Sequence, residues 1–199
     1  MATETWFDGL KRNFKDVPTE PGVDTKQFLE ASESLVTLFD LLGSTAFGAV
    51  ISDMNGNIKK INDRLVAAPG QSATLQSLVH EESKEKGKKA SATEGLLWLL
   101  RGLEFTSKAL RHNADNPNEE LATSFQESYN GTLKQHHNFV VKGVFSLALK
   151  ATPYRKDFYE KLGSDKAKVD TQAAEWLKAL ENITAILQTE YANNKSFGF

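Results

Sequence analysis

The stretch Asp53-Met54-Asn55-Gly56-Asn57-Ile58-Lys59-Lys60 lies inside a longer apolar pattern formed by Phe47, Val50, Ile51, Met54, Ile58, Ile61 and Leu65. That spacing predicts a helix. Asp53, Asn57 and Lys60 follow at i, i+4 and i+7, so a continuous helix aligns them on one stripe. The stripe offers a carboxylate acceptor, an amide that both donates and accepts, and an ammonium donor. A sugar, whose hydroxyls donate and accept, is a natural counterpart. A solvated helix face with the same charge pattern is the plain alternative.

Outward from this stretch, almost everything reads as helix. Residues 24–42 carry Phe28, Leu35, Leu38, Phe39 and Leu42 at helical spacing, with Asp24 or Thr25 as N-cap. Gly43-Ser44 breaks that helix, and the stripe-bearing helix follows and ends near Pro69-Gly70. Further helices are expected over 74–86, 92–112, 119–150 with a kink near Asn130-Gly131, 154–162, and 170–193. The loop 113–118 holds Pro117, Pro153 closes the long helix and Gly163 the short one. No strand-and-hairpin pair is visible. The expectation is an all-α chain of about eight helices in a single domain, residues 1–199, with 1–23 the least defined part. Helices so uneven in length suit a two-layer α-helical sandwich better than a simple bundle.

Composition narrows the function. A length of 199 residues with 40% hydrophobic content supports a sizeable core. A net charge of −2 supplies no basic field for nucleic acid. Absence of cysteine excludes disulfides and thiol chemistry. Neither a signal peptide nor a run of about 20 apolar residues is present, so a cytosolic protein is expected. There is no GxSxG elbow, no HExxH and no phosphate-binding loop. Glu33, Glu104 and Glu127 are not followed three residues later by His, as a metal-carboxylate bundle would require. No metal and no cofactor is expected. Trp98, in a Leu-rich helix, is either core or a flat platform for a sugar ring. His136 and His137 are adjacent on the expected helix, about 100° apart, so one should face inward and the other outward. An Asp53–His137 acid/base pair is conceivable, but no nucleophile accompanies it.

Together these residues resemble the glycolipid transfer protein family. The resemblance rests on Phe28-Leu29-Glu30-Ala31, on Phe39-Asp40-Leu41-Leu42-Gly43-Ser44 and on the stripe itself. It continues through Trp98-Leu99-Leu100-Arg101-Gly102-Leu103-Glu104-Phe105, His137, and Ala151-Thr152-Pro153-Tyr154-Arg155-Lys156-Asp157-Phe158. It spans roughly residues 27–162, and the last helix more loosely. Phe139 stands where many animal members carry Trp, which resembles fungal members.

The resemblance implies a two-layer sandwich that binds one glycosphingolipid and moves it between membranes without covalent chemistry. By that resemblance Asp53 meets the ceramide amide and a sugar hydroxyl, Asn57 and Lys60 meet sugar hydroxyls, Trp98 stacks on the sugar, and His137 donates to the ceramide carbonyl. Phe39, Phe47, Phe105, Leu133, Phe145, Leu149, Phe158 and Leu162 are the candidates for a hydrocarbon tunnel, with plain core packing as the alternative for each. Phe139 and Lys142 are expected at a transient peripheral membrane contact, with Lys134, Lys150, Arg155 and Lys156 nearby. Simple neutral headgroups such as glucosyl or galactosyl are expected, and a monomer. The alternatives are a ceramide-1-phosphate carrier, which would use Lys60 and Arg101 on the phosphate, and a non-catalytic helical interaction or lipid-sensing module.

Overall fold

The computed structural model describes residues 3–85 and 89–194, except for the side chain of Ser44. The C-terminal residues 195–199, including Phe197 and Phe199, and part of the charged connection near Gly87 lie outside the described residues. Among the described residues there are seven α-helices and no named strand: α1 Thr25–Ala67, α2 Leu75–Ser83, α3 Ser91–Asp115, α4 Leu121–Gly131, α5 Phe139–Lys150, α6 Arg155–Leu162 and α7 Lys166–Asn193. They pack as a two-layer sandwich, with α3 central and in contact with α1, α2, α4 and α7. The buried apolar side chains from Phe7 to Leu187 form one core.

α1 starts where the Asp24 carboxylate accepts from the Gln27 backbone N–H at 2.8 Å, an N-cap that satisfies an otherwise unpaired donor. The expected break at Gly43 is a bend inside one 43-residue element: Gly43 alone leaves helical geometry, at φ 114° and ψ 96°. Glycine reaches that region without the Cβ clash other residues meet. Lys161 of α6 donates to the Leu41 carbonyl beside the bend. The first arm of α1 places Phe28, Leu35 and Phe39 in the core, and the second carries the stripe.

The N-terminus of α3 has no side-chain cap of its own. The buried Glu82 carboxylate of α2 takes its place, accepting from the backbone N–H groups of Ala92 and Thr93 and from the Thr93 hydroxyl. This both satisfies the first turn and opposes the positive end of the helix dipole.

Two expectations need correction. Residues 119–150 are not one kinked helix: α4 ends at Gly131, a short 3-10 turn spans Leu133–His136, and α5 begins anew at Phe139. Thr132 sits at φ −126°, ψ −85° with its hydroxyl bonded back to the Ser128 carbonyl, and Asn138 caps α5 by accepting from the Val141 N–H. His137 therefore lies in extended backbone and not on a helix. α7 begins four residues before the expected Asp170, because Asp165 caps it. The N-terminal segment packs onto the last helix. Trp6, Phe7 and Phe14 surround the buried Trp176 of α7 in edge-on contacts, and the Trp6 indole donates to Thr37.

Candidate functional site

On the second arm of α1, Asp53, Asn57 and Lys60 occupy successive turns and are linked by hydrogen bonds. Asn57 Nδ2 donates to Asp53 Oδ2 at 3.1 Å, and Lys60 Nζ donates to Asn57 Oδ1 at 3.3 Å. Asn57 is buried, whereas Asp53 and Lys60 reach solvent. Each amide end thus has one partner and keeps one further donor or acceptor position, and outward-facing capacity remains on the carboxylate and the ammonium.

α3 approaches this stripe closely. A Cβ on Gly95 would lie 3.1 Å from Lys60 Cβ and 3.3 Å from the Asn57 carbonyl oxygen. Glycine is what lets Lys60 lie across α3 at that point. One turn on, half-buried Trp98 presents its ring, with the Arg101 guanidinium 4.7 Å from its centroid. The His137 ring lies nearly parallel to Trp98, at 15° and 6.3 Å between centroids, and His136 meets it edge-on.

These groups surround one cavity of about 500 Å³. Asp53, Asn57, Lys60, Trp98, His136 and His137 all line it, as do the apolar Met54, Leu133, Val141 and Phe145. Of the two histidines expected to face opposite ways, His137 is half-buried and His136 exposed, yet both line the cavity, because neither ring is on a regular α-helix. Among the eight tunnel candidates, Leu133 and Phe145 line this cavity. From Phe145 a column of rings runs inward: Phe105 at 5.9 Å, Phe125 at 5.5 Å from it, Phe47 at 6.4 Å and Phe39 at 5.6 Å. Leu149 is buried. Phe158 and Leu162 line a different cavity of about 490 Å³ between α6, α7 and the N-terminal turn that holds Trp6.

Burial pushes the Asp53 carboxyl above its usual range, with the Lys60 charge and the Asn57 amide opposing it. His137 is pushed down by burial, then by the neighbouring His136 and Lys142. Burial, then the Arg101 charge, lowers His136, while Glu104 opposes. Arg101 is itself lowered by burial. Among the described residues no group of three His, Asp or Glu could hold a metal.

Beside the cavity, α5 turns Val141 and Phe145 inward and leaves a different set outside. Phe139 is 91% exposed, Val140 71% and Leu147 69%, and Lys142 is exposed among them. Sequence reasoning weighed His136 but gave the role to His137 alone, and it missed Gly95, Phe125 and Tyr129, whose hydroxyl lies 3.2 Å from His137 Nδ1. Only their tertiary neighbours single them out.

Residues 23–164 match the family model for glycolipid transfer protein (GLTP). The chain is 56% identical over 193 residues to a glycolipid transfer protein of Aureobasidium melanogenum, covering 96% of this chain and 95% of that one. It superimposes on the crystal structure of HET-C2, a fungal glycolipid transfer protein, with a TM-score of 0.92 and 49% identity, covering 98% of this chain and 100% of the other. It superimposes on a structure of FAPP2, whose GLTP-fold selects simple glycosphingolipids, with a TM-score of 0.85 and 34% identity over 96% of each chain.

Proposed function

The chain belongs to the glycolipid transfer protein family, and from that premise we propose that it binds one simple neutral glycosphingolipid and carries it between membranes without covalent chemistry. The observation that carries this reading is the convergence of Asp53, Asn57, Lys60, Trp98 and His137, from α1, α3 and the turn before α5, on one cavity. Asp53 accepts from the lipid amide and a sugar hydroxyl, Asn57 and Lys60 bind hydroxyls, Trp98 supports the ring face, and His137 donates to the amide carbonyl. A charged hydrogen bond in such a partly desolvated site contributes about 1.5–3 kcal/mol.

The hydrocarbon chains follow the ring column from Leu133 and Phe145 towards Phe105, Phe47 and Phe39. Burying each methylene yields about 0.8 kcal/mol relative to water. Relative to a bilayer the gain is close to zero, since lipid is equally apolar. The interior therefore makes extraction possible, and the polar site supplies selectivity. Membrane contact is made by Phe139, Val140 and Leu147 of α5, with Lys142 towards anionic headgroups. No helix among the described residues is long and apolar enough to cross a membrane. A cytosolic monomer that docks transiently fits this reading.

Arg101 favours one second reading. It rests over Trp98 with no hydrogen bond or ion pair to any described residue, so with Lys60 it would meet a phosphate headgroup. The test is transfer of fluorescent monohexosylceramide between vesicles, in parallel with ceramide-1-phosphate. Movement of the sugar lipid, lost in Asp53→Val and Trp98→Ala, is expected. Retained transfer by both variants overturns the sugar reading, and movement of the phosphate lipid alone assigns the second one.

A further inference from the structure

A neutral imidazole donates from only one of its two nitrogens, and the hydrogen bond made by the other decides which. At His137 that other partner is Tyr129, in the last turn of α4. Its side chain is 3% exposed, and its hydroxyl lies 3.2 Å from His137 Nδ1. The phenol has no other hydrogen-bond partner among the described residues. The Phe145 ring stacks on Tyr129 at 4.8 Å, and Phe105 meets it edge-on.

Two proton arrangements fit that distance. If Nδ1–H donated to the phenol oxygen, the Tyr129 proton would be left in aromatic surroundings without an acceptor, and a buried unpaired donor is costly. If the Tyr129 O–H donates to Nδ1, no donor is stranded. Burial also keeps the phenol protonated and the imidazole neutral, raising the first pKa and lowering the second. The imidazole proton then resides on Nε2, on the opposite edge of a ring that lines the cavity and packs against Trp98 and Phe145.

We propose that Tyr129 is a positioning residue of the headgroup site, whose hydroxyl, given to His137 Nδ1, keeps the imidazole proton on Nε2 and presents it to the amide carbonyl of an N-acyl lipid. The inference rests on the glycolipid reading for the identity of that carbonyl and on the Tyr129–His137 contact for the rest. Asp53, an acceptor, and His137, a fixed donor, then read the two ends of one amide group.

The test uses Tyr129→Phe, which keeps the ring stack and removes the hydroxyl. The His137 tautomer is read from its ring nitrogens by ¹⁵N NMR on the lipid-free protein. Binding is then measured for a monohexosylceramide and for its N-deacylated counterpart, which has no amide carbonyl. The unaltered protein should show proton occupancy at Nε2, and the variant should shift towards Nδ1. Affinity for the N-acyl lipid should fall about three- to tenfold, as for one neutral hydrogen bond, with the deacylated lipid unaffected. An unchanged tautomer in Tyr129→Phe, or equal losses for both lipids, overturns the proposal. Binding of neither lipid by the unaltered protein overturns the glycolipid reading instead, and the tautomer measured without lipid tells the two failures apart.

Discussion

Asp53 is held above the ordinary carboxyl value of 3.8 by its surroundings, and this has opposite consequences for ligand and for fold. A lipid that donates to the carboxylate binds its ionised form, so affinity rises as pH climbs through the raised value and falls on acidification below it. Stability runs the other way. The folded state keeps this proton to higher pH than the unfolded chain does, so Asp53 weakens the fold as pH rises from 3.8 through its folded value. His136 and His137 are both lowered from 6.5. The unfolded chain takes up those protons first, and stability falls as pH drops from 6.5 towards their folded values. Binding of monohexosylceramide across acidic pH should therefore show a descending arm that Asp53→Asn flattens. The same variant should lose about 1.5–3 kcal/mol of affinity on the plateau. An acid arm of full size in Asp53→Asn would assign that dependence to another group.

Between elements, two glycines act for different reasons. Ala is preferred over Gly inside a helix by roughly 0.5–1 kcal/mol, but at Gly95 the new Cβ would press on Lys60 and on the Asn57 carbonyl. The two effects oppose in stability and add up to a displaced Lys60 in the site. Gly95→Ala should melt within a few degrees of the parent and bind monohexosylceramide more weakly by about 1 kcal/mol; undiminished binding would show that the close approach does not set Lys60. At Gly43 nothing crowds a Cβ, yet φ is +114°, so Gly43→Ala should cost about 1–3 kcal/mol in urea unfolding. The bend itself was legible, because glycine interrupts an otherwise strong apolar pattern. So was the stripe, which depends only on spacing along one helix. At Asn130-Gly131 the place of the interruption was legible but its extent was not: Lys134-Gln135-His136-His137-Asn138 contains no proline or glycine, and the chain leaves the helix through Thr132 bonding back to Ser128 and Asn138 capping α5. Tyr129 was unreadable for a related reason, since its meaning comes from a histidine that turn brings back. Trp6, Phe7 and Phe14 find their partner in Trp176, far along the chain, which local spacing does not express.

At the scale of the molecule, binding a lipid and moving it are separable. The cavity is lined from α1, α3, the turn before α5 and the inward face of α5 itself, whereas Phe139, Val140 and Leu147 stand exposed on α5 and do not line it. Phe139→Ala combined with Leu147→Ser should slow vesicle-to-vesicle transfer about tenfold or more, given about 1.5–3 kcal/mol for burying one large apolar side chain. Affinity for a water-soluble short-chain monohexosylceramide should stay unchanged, and a matching loss of affinity would place these residues in the binding step. The same face of α5 also governs how the protein behaves in a test tube. Apolar surface that no bilayer covers is free to meet its own kind in a concentrated solution. Clumping and docking therefore compete for one patch, and adding vesicles should disperse what crowding had brought together.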